Sequence, residues 1–458
     1  MKLVVNSKRL YFLLLALCSI GIGLQIVLYK VAIIALILHW IFTFEYKQKI
    51  HKIRGNNFML GWMALFFLYA GSLFWTDNIP FALTDLLLKS PLLILPLVIG
   101  SQDKLTTRQT NSILLSFALS ILALNLFCTV NAYFSYLKTN DLRHFYYQRL
   151  TVNMHTAYQA MFTCFSVAIL IYLRLKDKFI ENWVMYFGVI VQLIFILLLS
   201  SRMQILIMMA LTPTYFLLSY YKKKKLYLGI IYTLIVFGLA KGIMSAPSSL
   251  NYRYKQTVTH ISSIGVDSDN SDPRKFIWEN GLTLIKENWI FGTGIGDVKK
   301  VLADRYALHI LDNPISASLI DSTINSLEAN TRLVKILKNK SLSSETTYDY
   351  QLTQYAENSL KRRNVRYKSF VTRGYNFHNQ YLQIFGTIGI FGLLLLLYLF
   401  TIPFFLFIKK ANYLSATFLF IVGASFLTES MLERQAGVSF IVFFFMILVA
   451  SKYQNKPS

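Results

Sequence analysis

Apolar residues fall along this chain in long unbroken blocks separated by polar connections. The blocks occupy 10–25, 27–44, 58–75, 81–100, 113–133, 156–173, 183–199, 203–220, 226–244, 380–408, 414–428 and 438–451. Most approach the roughly 17–25 residues a helix needs to cross about 30 Å of hydrocarbon. They are continuous where a barrel strand would alternate, so the pattern predicts helices and excludes a β-barrel. The expected fold class is an all-α polytopic membrane protein with about twelve transmembrane helices, the first two separated by almost nothing.

Charge supplies an independent test of that count. Lys2, Lys8 and Arg9, then Lys47, Lys49, Lys52 and Arg54, then Lys104 and Arg108 mark successive connections on one side. Arg174, Lys176 and Lys178, the run 222–225, Lys409 and Lys410, and Lys452 and Lys456 continue the series. The alternate connections at Asp77, at Ser201 and Arg202, and at 429–434 are poor in lysine. Basic residues collect on the cytoplasmic side of membrane proteins, so both termini are expected there. The opposite side receives the loop 135–155, the turn 200–202 and the long segment 245–377. The division expected is therefore helices 1–9 in 1–244, one large outer loop in 245–377, and helices 10–12 with a short tail in 378–458.

Composition agrees. The chain has 458 residues, 55% of them hydrophobic and 15% charged, with a formal net charge of +24. That charge would point to nucleic acid in a soluble protein, but here it sits in short connections, where it sets topology. Cys18, Cys128 and Cys164 all fall inside apolar blocks, which excludes a disulfide framework and makes them packing residues. The opening MKLVVNSKRLYFLLLALCSIG resembles a signal peptide, and 15–18 faintly resembles a lipoprotein cleavage box. Leu17 is too large before the cysteine and many spans follow, so this is expected to be an uncleaved first helix.

The segment 245–377 is the one part able to form an extramembrane domain. It holds more than half of the acidic residues and reads as two pieces. The first, 251–312, mixes helix signals with glycine turns. The second, 314–367, is polar, helix-compatible and ends near a basic run from Lys361 to Lys368. No internal repeat stands out.

Several residues there and at its borders can carry chemistry. Arg202 follows LLLSS at the outer end of one block. A border arginine can snorkel as an anchor, but the guanidinium fork also suits bidentate grip on phosphate. Asp272-Pro273-Arg274 opens a helix, with aspartate as cap and proline in the first position. Arg274, Trp278, Leu282 and Ile285 then recur on one face. Arg274 is either a solvated edge or a phosphate contact at a helix N-terminus. The acidic run 267–272 fails the EF-hand spacing, because Asp272 stands where glycine is required and Trp278 where the bidentate glutamate belongs. Gly292-Thr293-Gly294-Ile295-Gly296 lacks the strand–helix context of a dinucleotide fingerprint and reads as a tight turn.

His378 stands where the polar segment runs into a long apolar block. A lone histidine is most often structural, yet a neutral imidazole at a membrane rim is also a good proton acceptor. Gly386, Gly389 and Gly392 behind it recur every three residues, which predicts close approach by another helix. His155 lies on the same side as a polar contact or span anchor, and Arg143 and Arg149 precede it in a tyrosine-rich loop. Asp85 and Lys89, four apart, form a self-neutralising pair.

Taken in order, Ser201-Arg202, PRKFIWENGLTLIKENWIFGTGIGD and FHNQYLQIFGTIGIFG resemble the O-antigen ligase/polymerase superfamily of bacterial inner-membrane glycosyltransferases. HTAYQAMF at His155 and TESMLERQAGVSF at 428–440 look like the variants of Bacteroidetes-type members. The resemblance covers most of 156–440, and the bulky 314–367 stretch departs from many members. It implies an inverting transfer of a glycan from undecaprenyl diphosphate on the periplasmic face, without metal or other cofactor. By motif, His378 would take the acceptor hydroxyl proton, and Arg202 and Arg274 would hold the leaving diphosphate. His155, Arg149 and Arg434 are candidate accessory contacts. The partners implied are the lipid-linked donor, a lipid A–core or other glycan acceptor and the bilayer, with no nucleic acid. A ligase, a polymerase extending the lipid-linked repeat, and a transferase to protein hydroxyls all share these motifs, and Asn379 and the clustered arginines lean towards ligase. A lipid-linked glycan transporter would instead show charges in both halves and an internal repeat.

Overall fold

A computed structural model of the chain describes residues 2–221 apart from 153 and 177, then 227, 230, 234 and 238, 273–312 and 374–449. The expected span 226–244, the acidic run 267–272, the stretch 314–367 and the basic run 361–368 lie outside the described residues, apart from those four isolated positions. Each expected span that falls inside them is helical, and no strand occurs among the described residues. Among the described residues, seven helices are long and apolar enough to cross a membrane, or eight if one sharply bent pair counts as a single span. Shorter apolar helices occupy Arg202–Leu211, Tyr413–Phe426 and Gln435–Leu448.

The chain divides into two compact units: Met1–Phe66 with Leu88–Ile261 and Leu395–Ser458, and Phe67–Leu87 with Ser262–Leu394. In the first, α1 (Lys2–Leu24) turns at Gln25 into α2 (Leu28–Phe42). The chain then bends by 114° into the short basic helix α3 (Tyr46–Arg54). Lys49 folds back from α3, and its ammonium donates to Trp40 O at 2.5 Å and Thr43 Oγ1 at 2.7 Å. A cation at a helix C-terminus meets carbonyls that have no intrahelical donor, which fixes the bend. Next come α4 (Asn57–Gly71) and α5 (Ile79–Leu88), α6 (Pro91–Leu95) with one π turn at Pro96–Gly100, and α7 (Thr107–Thr139). Thr106 and Gln109 close a capping box at the start of α7, satisfying two orphan donors reciprocally.

The centre of this unit is α8 (Thr156–Leu175), whose span is 89% buried where most others bury less than half. It packs with α7, α9 (Asn182–Leu199), α10 (Arg202–Tyr221) and α14 (Tyr413–Phe426). Phe162 stacks on Phe440 at 4.1 Å between centroids, with Phe117, Phe165 and Phe444 around them. Where lipid offers no hydrogen bonds, buried polar side chains pair between helices. Gln159 Nε2 donates to Asn125 Oδ1 at 3.0 Å, Asn125 Nδ2 to Thr163 Oγ1 at 3.2 Å, and Gln204 Nε2 to Ser425 Oγ at 2.7 Å. Each such bond contributes roughly 0.6–2 kcal/mol. Cys18, Cys128 and Cys164 are free and buried, as the apolar blocks predicted.

The second unit is built from α11 (Pro273–Glu287), α12 (Val298–Asp312), the 72–87 segment and the first half of α13 (Gln380–Lys409). Its core is Phe276, Ile277, Leu284, Ile285, Val298, Leu302, Tyr306 and Phe377. The buried stripe of α11 therefore runs through Phe276, Ile277, Leu284 and Ile285, of which Ile285 was expected. Leu282, expected on the apolar face, is exposed, and Trp278 is half-buried. The last helix of the chain described is α15 (Gln435–Leu448), in the first unit.

Candidate functional site

In the second unit the residues around His378 are held from several directions. The Phe377 ring is fully buried, and it fits only because Gly281 and Gly386 face it without side chains. A Cβ on Gly281 would stand 2.5 Å from Phe377 Cε1, and one on Gly386 2.7 Å from its Cζ. Phe377 N donates to Gln383 Oε1 at 3.3 Å, and Trp278 Nε1 donates to Phe377 O at 3.0 Å. His378 N donates to Asn376 Oδ1 at 3.0 Å. The next residue, Asn379, caps α13, its Oδ1 accepting from Tyr381 N at 2.9 Å and Leu382 N at 3.1 Å.

Between these anchors His378 has φ +46°, in the left-handed region that costs an L-residue roughly 1–2 kcal/mol. Its ring is half-buried, with the Tyr375 ring 5.7 Å away. Strain of this kind persists only where the surroundings over-determine it, and it clusters at functional positions. Arg274 lies in the first turn of α11, half-buried, one helical turn before the Trp278 that bonds the residue preceding His378. The two site residues expected in this unit are thus carried by elements tied directly to each other.

The glycines after His378 divide: Gly386 lets α13 approach Leu284 of α11, as the spacing predicts, whereas Gly389 does a different job. The helix α13 breaks at Ile388 and Gly389, where φ is −128° and +70°. The carbonyls freed there accept from the glycine-rich loop: Thr293 N to Gly386 O and Gly294 N to Thr387 O, both at 2.9 Å. In return Ile390 N donates to Trp289 O at 2.9 Å. Gly389 therefore admits the loop backbone at Ile290, not another helix. Downstream, Asp297 accepts from Asp77 N at 2.6 Å and Asn78 N at 3.2 Å, and Ile295 N donates to Ser72 Oγ at 3.0 Å. The Gly292–Gly296 stretch is a turn, as its context implied, and its work is to tie the loop to the 72–78 corner.

In the first unit, α9 ends at Ser200 in the left-handed region, and Arg202 opens α10 two residues later, half-buried. His155 is the N-cap of α8, its Nδ1 accepting from Ala157 N at 3.4 Å. It stands edge-on to the Tyr158 ring at 6.0 Å, and the Arg434 guanidinium lies over that ring at 5.8 Å. Arg149 joins Arg143 on Asp141, at 2.8 Å and 2.9 Å. Those arginines, Arg143 foremost, hold the Asp141 carboxyl far below its usual range. Arg149 thus has a local partner that the loop sequence did not single out.

Sequence reasoning missed one feature entirely. Lys89 reaches Glu433 at 3.1 Å, with both side chains almost wholly buried. Lys89, expected to be neutralised by Asp85, pairs with a carboxylate 344 positions further on. The available signal was a second acidic residue, in TESMLERQAG, on an otherwise apolar chain end.

Fold and composition define a polytopic α-helical membrane protein. The family described as O-antigen ligase (Wzy_C) matches residues 187–318. This match supports the O-antigen ligase superfamily for the chain, a group of membrane glycosyltransferase-like ligases and polymerases acting on lipid-linked glycans. It includes Arg202 and Arg274 and ends before His378. No curated protein matches the chain.

Proposed function

We propose that this protein is an O-antigen ligase-like glycosyltransferase of the bacterial inner membrane. It transfers a glycan, with inversion and without metal, from undecaprenyl diphosphate to a periplasmic acceptor such as lipid A–core oligosaccharide. The observation that carries this reading is His378, held in a strained backbone by Phe377, Asn376 and the helix that bears Arg274. A strained, half-buried imidazole beside an arginine-bearing helix suits general-base removal of a hydroxyl proton. In this reading Arg202 and Arg274 hold the diphosphate and stabilise the charge that develops on it as the glycosidic bond breaks. His155, Arg149 and Arg434 serve as accessory contacts. The basic connections favour twelve spans with both termini in the cytoplasm, which puts 245–377 on the periplasmic side.

The test is a transfer assay with purified full-length protein, a lipid-diphosphate-linked glycan and lipid A–core acceptor. His378→Ala should abolish transfer while the protein inserts and purifies normally. Chelator should leave the wild-type rate unchanged. Normal transfer by His378→Ala would remove the base assignment.

A further inference from the structure

The connection between α14 and α15, residues 427–434, is folded inward, with Ser430, Met431, Leu432 and Glu433 all buried. Connections usually run over the surface, because a buried one must find partners for its backbone polar groups. This one finds them locally. Tyr158 Oη donates to Ser430 O at 3.1 Å, Glu433 N to the same oxygen at 3.1 Å, and Met431 N to Glu429 O at 3.0 Å. Gly437 has no side chain where a Cβ would collide with Met431 O and the Tyr158 ring. Beneath the turn, Glu433 meets Lys89 at 3.1 Å.

The next residue points the other way. Arg434 has extended backbone (φ −137°) and is exposed, with its guanidinium over Tyr158. Arg434 leaves the 3-10 turn Met431–Glu433 on extended backbone directly after the anchored carboxylate, so holding Glu433 beneath the turn sets the point from which Arg434 emerges. Two buried hydroxyls flank this contact, Thr156 Oγ1 beside His155 and Ser430 Oγ. Neither has a hydrogen-bond partner among the described residues. Both hydroxyls are therefore able to bond the polar atoms of a ligand.

A charged pair inside a membrane unit is costly to bury and is kept where it serves a function. Replacing it by apolar side chains of similar volume is often tolerated, whereas breaking it leaves one uncompensated charge. Stability alone is a poor reason for it, and the residue it directly adjoins is Arg434.

We infer that Lys89 and Glu433 are positioning residues that hold Arg434, over Tyr158 and beside His155, as a phosphate-binding residue for the polyprenyl-diphosphate donor. This rests on the reading of the protein as a transferase using such a donor. Undecaprenyl diphosphate is the probe, titrated into purified full-length protein while tryptophan fluorescence is followed. Arg434→Ala should weaken binding about tenfold. The apolar double variant Lys89→Met/Glu433→Leu should unfold near the wild-type temperature yet bind as weakly as Arg434→Ala. The exchanged pair Lys89→Glu/Glu433→Lys should recover at least part of the affinity.

Wild-type affinity in the folded double variant would overturn the inference and leave the donor reading intact. Failure of both pair variants to fold would overturn it equally, because the pair would then serve stability. Absence of binding by the wild type would overturn the donor reading, and this inference with it.

Discussion

His378 combines a left-handed backbone with a half-buried ring, and the two properties separate under substitution. Glycine accepts φ +46° freely and alanine does not. His378→Gly should therefore be more stable than His378→Ala, by about 1 kcal/mol after the entropy lost by glycine is set against the strain relieved. Thermal unfolding of the two purified variants measures this. Both should be equally inactive in glycan transfer, since neither carries an imidazole. Activity in the glycine variant would show that the backbone, and not the ring, is what matters. A parallel argument holds for Arg202 and Arg274. Lysine keeps the charge and loses the planar fork, so Arg202→Lys and Arg274→Lys should each lower kcat/KM about 10- to 100-fold if diphosphate is gripped bidentately. Full activity in both would count against that grip.

At the scale of elements, the break in α13 is the joint on which the second unit is built. Gly389 has φ +70° and ψ −164°, a conformation that is essentially restricted to glycine, and it faces the Ile290 carbonyl. Gly389→Ala should cost roughly 1–3 kcal/mol and loosen the 288–294 loop, seen as faster amide exchange there. A second joint is electrostatic: Asp103 bridges Lys52 at 2.8 Å and Lys8 at 2.9 Å. These contacts, Lys52 first, depress its carboxyl below the usual value. A depressed acid contributes stability above its unfolded pKa of about 3.9 and loses it as pH falls through the folded value. The unfolding temperatures of wild type and Asp103→Asn should therefore differ at neutral pH and converge in acid. Asp103 is largely exposed, so the difference should be small and should shrink in salt.

These joints mark the limit of what the sequence made legible. The spans could be read because lipid demands long apolar runs, whatever their neighbours. His378 could be singled out because a titratable residue at the end of such a run is conspicuous, and Arg274 because Asp272-Pro273 marks the start of a helix before it. Gly389 looked like helix packing because period three in a chain does not reveal that a distant loop supplies the missing backbone bonds. Asn379 leaned the sequence reading towards a ligase, and the fold gives it the further work of capping a helix. Lys89 and Glu433 were hidden for a similar reason, since only the fold brings 89 to 433.

For the molecule as a whole, the proposed transfer leaves the choice between ligase and polymerase to the acceptor, which the groups assigned to the reaction do not determine. A ligase and a polymerase need the same groups: a base for the incoming hydroxyl and cations for the departing diphosphate. They differ in which hydroxyl arrives, so the difference shows in the glycolipids left behind when the protein is missing. If it is a ligase, deleting its gene blocks the last transfer only. The polymer should then accumulate at full length on its lipid carrier, and lipid A should carry bare core on an envelope gel. If it is a polymerase, chain extension stops while the final transfer continues, and the gel should show core bearing one repeat. We expect the bare-core pattern, restored by the wild-type gene and not by His378→Ala. A ladder collapsed to one repeat would move the same residues, with the same roles, to a polymerase.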